Sequence, residues 1–159
     1  MKVGVVMGSM SDMPVVEKGI EVLKDFGVTP VVRILSAHRT PVQAEEFSRN
    51  AETEGIEVII AAAGKAAHLG GVLAAGTPVP VIGIPMKTSD LGGMDSLLST
   101  VQMPTGVPVA TVAINGAQNA ALLAIQMLSI KYPELREKFR AYKKEQEEKI
   151  LKLDAELEY

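Results

Sequence analysis

At 159 residues, 47% of them hydrophobic, the chain is long enough to bury a sizeable core as one domain spanning residues 1–159. A net charge of −3 gives nucleic acid or an anionic membrane no electrostatic hold, and the absence of cysteine excludes disulfides, thiolate nucleophiles and thiolate metal sites. Gly, Pro and polar residues punctuate every apolar stretch, and the opening one is short with no cleavage pattern; a soluble, cytoplasmic protein is expected.

The chain opens on a β-branched run, Val3 to Met7, of the kind a buried central strand needs. It breaks at Gly8-Ser9-Met10-Ser11-Asp12, after which apolar residues recur at helical spacing through Val15, Val16, Ile20, Val22 and Leu23 until Gly27. Pro30 to Leu35 reads as a second strand. Thr40 and Pro41 then open a helix as N-cap and first residue, and it runs to about Glu54 and stops at Gly55. Glu57 to Ala63 is a third strand, followed by the loop Gly64 to His68 and a helix of small residues. Pro80 to Ile84 is the fourth strand, with a loop over Met86 to Gly93 and a helix through Leu97 and Leu98. Val107 to Val112 is the fifth strand, Gly116 to Ile130 an apolar helix, and residues 134 to about 157 a final helix after Pro133. Strands alternating with helices predict an α/β fold, a flavodoxin-like three-layer α/β/α sandwich with a central parallel sheet and an extra C-terminal helix.

Charge is unevenly spread. From Ile56 to Ile130 only Glu57, Lys65, Lys87, Asp90 and Asp95 are charged, whereas most side chains from Glu134 to Glu158 are. A lone copy would expose apolar surface around the last two strand–helix units, the helix Gly116 to Ile130 included. One further helix buries only a stripe of it, so subunit contacts are expected to cover the rest.

The chemistry-bearing residues follow strand ends. Ser9, Ser11 and Asp12 sit between the first strand and its helix, where free N–H groups and hydroxyls suit a phosphate. Asp12 would repel phosphate; it either caps the helix or accepts hydrogen bonds from sugar hydroxyls, and a phosphoribosyl group satisfies both halves of the loop. Ser36-Ala37-His38-Arg39-Thr40-Pro41 follows the second strand, and in the flavodoxin-like order it faces the first loop. Arg39 brings a forked cation for phosphate oxygens, and His38 a proton donor and acceptor. His68 follows the third strand, where a hydrogen-bonded structural histidine is the plainer reading; no carboxylate pattern completes a metal site with the two histidines. Gln102 and Asn119 are polar points in apolar context, best placed to satisfy buried backbone.

In order along the chain, Gly8-Ser9-x-Ser11-Asp12, Ser36-Ala37-His38-Arg39-Thr40-Pro41, Ala66-Ala67-His68-Leu69, Asp95-Ser96-Leu97 with Val101-Gln102-Met103-Pro104, and Asn119 to Ala124 resemble the PurE family, the N5-carboxyaminoimidazole ribonucleotide mutases of purine biosynthesis. The resemblance runs from Val3 to about Leu128 and is specific as a combination. It implies a homo-octamer working without metal, nucleotide or organic cofactor. It also implies that Ser9, Ser11, Asp12 and Arg39 contact the phosphoribosyl group, that His38 is the catalytic acid–base, and that Ser36, Ala66, His68 and Leu69 wall the imidazole. The implied reaction moves a carboxylate from the exocyclic nitrogen of a phosphoribosyl aminoimidazole to a ring carbon, and an imidazole that titrates near neutrality suits giving one proton and taking another.

Two positions depart from the family pattern, which reads Gly-Gly-Ala-Ala-His-Leu-Pro-Gly where this chain has Gly64-Lys65-Ala66-Ala67-His68-Leu69-Gly70-Gly71. Lys65 adds a cation to a loop beside the ligand, and Gly70 replaces a stiffening proline. They keep open a carboxylase that uses CO2 directly on aminoimidazole ribonucleotide. A flavodoxin-like module that binds FMN or a nucleotide without chemistry is the reading of a different class. Against it, the chain has only three Phe, three Tyr and no Trp to stack on a flavin.

Overall fold

The computed structural model describes residues 1–158. Five parallel strands, β1 (Lys2–Met7), β2 (Thr29–Ile34), β3 (Ile56–Ala63), β4 (Val81–Pro85) and β5 (Ala110–Thr111), stand in the order β2-β1-β3-β4-β5. Between and after them run α1 (Met13–Asp25), α2 (Pro41–Asn50), α3 (Leu69–Ala75), α4 (Met94–Val101), α5 (Ala117–Leu128) and α6 (Pro133–Ala155). This is the flavodoxin-like order, and α6 is the extra C-terminal helix. The chain reverses its direction across the sheet at β1 and β3, and that switch point is where a crevice opens beyond the strands' carboxyl ends.

The three central strands are apolar on both faces because helices cover both. Val3, Val5, Met7, Val58, Ile60, Ile82 and Ile84 pack with Val16, Ile20 and Leu23 of α1, the inner face of α5 and Leu135 of α6. The alternate residues Val6, Ile59, Ala61 and Val81 pack with Ala44 and Phe47 of α2 and with Leu69 and Leu73 of α3. Close approach of α1 to α5 depends on Gly19, where a Cβ would lie 2.6 Å from the Ala117 carbonyl oxygen. Gly83 does the same for α4, since a Cβ there would lie 2.2 Å from Thr100 Cγ2.

Several local expectations shift. The fifth strand shrinks from Val107–Val112 to Ala110–Thr111. Val107 N–H is spent in a turn onto Pro104 O (3.1 Å), and Pro108 has no N–H to give the ladder. α2 ends at Asn50 rather than near Glu54; the following residues form turns before Gly55, whose φ of 75° redirects the chain. Thr40 does not cap α2 with its side chain. Its hydroxyl instead accepts from Ser36 N–H (2.8 Å) and donates to Ser36 O (3.1 Å), which pins the loop after β2. Of the helix Gly116 to Ile130, expected to expose apolar surface, most is covered: α5 buries Ala117, Ala120, Ala121, Leu122, Ala124, Ile125 and Leu128 beneath α1 and α6, and Ile130 beyond its end is exposed. Within the last two strand–helix units the exposed apolar side chains include Met94, Leu98 and Val101 of α4 and Ile130 after α5, and others stand on β2 and on the second half of α6.

Candidate active site

A cleft of about 520 Å³ opens at the carboxyl edge, lined by the four loops that follow β1 to β4. Ser9, Ser11, Asp12, Ser36, His38, Arg39, Ala66, His68 and Leu69 all line it. The strand order explains the convergence: β1 stands between β2 and β3, so its loop is flanked by the loops that carry the two histidines.

The loop after β1 is a 3-10 turn, Met10–Asp12, entered through Ser9 in extended conformation. Ser9 Oγ accepts from Ser11 N–H (3.3 Å) and from Ser11 Oγ (2.9 Å), which gathers both hydroxyls at one point. Asp12 precedes α1 but makes no capping hydrogen bond with its side chain, so the carboxylate stays available to the cleft. Burial pushes the Asp12 carboxyl above its ordinary value, opposed in part by the polar Ser9 backbone and Ser11 hydroxyl beside it.

The loop after β2 is locked by the Ser36–Thr40 bonds and by Arg39 N–H donating to Ser36 Oγ (3.2 Å). Arg39 reaches across to the first loop and donates through Nη2 to Gly8 O (2.9 Å). The remaining guanidinium edge therefore stands beside the serine turn. Next to it His38 Nε2 lies 2.7 Å from His68 Nδ1, with the rings edge to face at 80°. A hydrogen bond joins the two rings, thirty residues apart in sequence. His68 is thus hydrogen-bonded, but its partner is the other cleft histidine. Among the described residues no group of three or more His, Asp or Glu side chains stands close enough to hold a metal ion.

Lys65 lies on the loop after β3 with φ 55°, the left-handed conformation that a glycine in its place would adopt freely. Its ammonium meets Asp90 Oδ2 at 2.9 Å, and Ser89 Oγ donates to the other Asp90 oxygen (3.2 Å). The pair raises the Lys65 pKa and lowers that of Asp90, through the hydrogen bond first and charge second. Gly70 is the second residue of α3, and a Cβ there would make ordinary contact with Val109 at 3.5 Å. The missing proline therefore frees the helix start without being forced by crowding.

Lys87, Thr88 and Ser89 line the cleft as well and were not singled out by sequence. Their only signal is position, in the loop after a buried strand. Thr88 Oγ1 donates to both Asp95 oxygens (2.9 and 3.1 Å), and Lys87 N–H donates to Asn115 Oδ1 (2.9 Å), so this loop is braced from behind. Gln102 and Asn119 lie outside the cleft and are exposed, so neither serves buried backbone as expected. No Phe or Tyr among the described residues lines the cleft, which leaves it without a phenyl face for a flavin. A second cavity of about 600 Å³ at the opposite edge contains none of the expected site residues. There Glu57 accepts from Lys131 and Tyr132, both at 2.8 Å.

Residues 2–149 match the family described as AIR carboxylase. A protein of Pyrococcus abyssi named N5-carboxyaminoimidazole ribonucleotide mutase is 60% identical over 144 residues, covering 91% of this chain and 83% of that one. Its namesake in Thermotoga maritima is 54% identical, covering 99% of this chain and 92% of its own length. Among solved structures, PurE of Treponema denticola superposes with a TM-score of 0.87 at 30% identity, covering 99% of both chains. The chain belongs to the AIR carboxylase family, in its N5-carboxyaminoimidazole ribonucleotide mutase group.

Proposed function

We infer that this protein converts N5-carboxyaminoimidazole ribonucleotide into 4-carboxyaminoimidazole ribonucleotide, with the chemistry centred on His38. The observation that carries the assignment of the site is the cleft itself, which brings a hydroxyl-rich turn, a tethered guanidinium and a hydrogen-bonded histidine pair within one cavity.

The residues divide by chemistry. Ser9, Ser11 and Arg39 offer donors to the phosphate, and Asp12 offers an acceptor to the ribose hydroxyls. Ser36, Ala66, His68 and Leu69 enclose the imidazole ring. His38 protonates the exocyclic nitrogen, its bond to the carboxyl carbon breaks, and CO2 is released beside a ring whose carbon is now nucleophilic. That carbon attacks CO2, and His38 recovers the proton the ring carbon sheds. One proton is given and one returned, so the reaction is a balanced isomerisation. Holding ring and CO2 in one enclosed place spares the encounter that free CO2 would otherwise have to repeat.

The description of the matching family favours a second reading, direct carboxylation of aminoimidazole ribonucleotide. The two separate cleanly by substrate. Turnover with the N-carboxylated ribonucleotide, and little with aminoimidazole ribonucleotide plus bicarbonate, is the expected result; the reverse preference overturns the mutase. The reading extends to a cytoplasmic protein of one domain that works as a homo-octamer, supported by its exposed apolar side chains. No helix among the described residues is long and apolar enough to cross a membrane.

A further inference from the structure

Besides Arg39 the cleft is lined by two lysines, Lys87 and Lys65, and Lys65 is the one held by a carboxylate outside the lining. Arg39 is committed to Gly8 O and the serine turn, at the end of the cleft that suits phosphate. Lys65 stands on the other loop, three residues before His68, beside the apolar Ala63, Leu69 and Met86. Its ammonium faces Asp90, which belongs to the next loop and does not itself line the cleft. The substrate of the mutase carries two anions, and the carboxylate is the one that travels over the ring, where the histidine pair stands.

We propose that Lys65 binds the migrating carboxylate and that Asp90 holds its ammonium in register until the substrate arrives. The inference rests on the mutase reading. Exchange of one carboxylate for another keeps the ammonium paired throughout, so entry of the substrate does not strip it of a counter-ion. Both side chains are largely exposed, 71% for Lys65 and 61% for Asp90, so the resting pair is weak enough to open. The left-handed backbone at Lys65 fits the same role. A non-glycine residue there is strained, and it sets a cation on the cleft lining where the family pattern has no side chain.

Binding measured by calorimetry on two ligands tests this, with 4-carboxyaminoimidazole ribonucleotide against aminoimidazole ribonucleotide, which lacks the carboxylate. Lys65→Met should weaken the first by about tenfold, the scale of a charge-assisted contact, and leave the second unchanged. Lys65→Arg should retain most of the affinity. Asp90→Asn should tighten the carboxylated ligand by about two- to fivefold, the reach of an exposed ion pair removed as competitor. That gain should vanish when Lys65→Met is also present. Equal loss on both ligands puts the ammonium on the phosphate and overturns the assignment, as does no loss on either. A gain from Asp90→Asn that survives in the double variant means simple repulsion and overturns the exchange. A wild-type protein that binds the carboxylated ligand in this pattern but turns over only aminoimidazole ribonucleotide and bicarbonate loses the mutase reading while Lys65 keeps its role. One that binds neither ligand loses both.

Discussion

His38 and Arg39 are adjacent in sequence yet serve different ends of the cleft, and substitution separates them. His38→Asn keeps a polar side chain of related shape but cannot shuttle a proton. Turnover should fall about a hundredfold or more, worth roughly 2.7 kcal/mol of barrier, while ligand affinity survives. Arg39→Ala removes a charge-assisted donor and the tie to Gly8 O. It should raise the ligand Kd about tenfold or more before it slows the chemical step. Calorimetry and mutase rate on both variants check the division, and near-normal turnover in His38→Asn would move the proton to His68. Asp12 adds a pH signature. Burial raises its carboxyl, so it takes up a proton and weakens as an acceptor at a higher pH than an exposed aspartate does. Affinity should decline as pH falls through that raised value. Stability moves the other way: the folded pKa lies above the unfolded one, so the ionised form costs stability and the cost disappears as pH falls through it. Ligand Kd against pH should show this acid limb in the wild type and lose it in Asp12→Asn.

At the scale of elements, what the sequence discloses follows from how local each signal is. β1, β3 and β4 are legible because burial on both faces demands continuous apolar runs. Gly27 and Gly55 mark helix exits, both with positive φ. The loops after β1, β2 and β3 are legible as site loops because the strand order dictates where their ends meet. β5 was not legible in full, since Pro108 and the Val107 turn override a run of valines. Thr40 misleads for a similar reason: its hydroxyl finds Ser36 at hydrogen-bonding distance before it finds the helix. The 2.7 Å contact between His38 and His68 has no sequence signature, because it depends on two loops leaning together above β1. Gly19 offers a test of packing at this scale. In an unobstructed helix interior Gly→Ala stabilises by up to about 1 kcal/mol. Here the new Cβ would lie 2.6 Å from the Ala117 carbonyl oxygen, a backbone atom that cannot swing aside. Gly19→Ala should therefore destabilise by about 1–3 kcal/mol, read as a lower denaturant midpoint at fixed protein concentration.

For the whole molecule the open matter is what covers its exposed apolar side chains. Leu91, Met94, Leu98 and Val101, on α4 and the loop before it, are 65%, 52%, 50% and 47% exposed. Val32 and Ile34 of β2 stand out at the far margin of the sheet, so apolar surface is offered on opposite sides. α6 cannot cover them. Its first turns spend Leu135, Phe139 and Tyr142 on the α1 and α5 side, against Phe26, and its second half carries Ile150, Leu151 and Leu153 outward. Apolar surface on separate sides of a chain is what a closed assembly buries and what a monomer rarely tolerates. Light scattering at micromolar concentration should therefore return a mass several times that of one chain, eightfold for the octamer. Leu98→Lys, placing a charge in the α4 patch, should lower that mass while leaving the fold of each chain intact by circular dichroism. A stable wild-type monomer under these conditions would overturn the assembly.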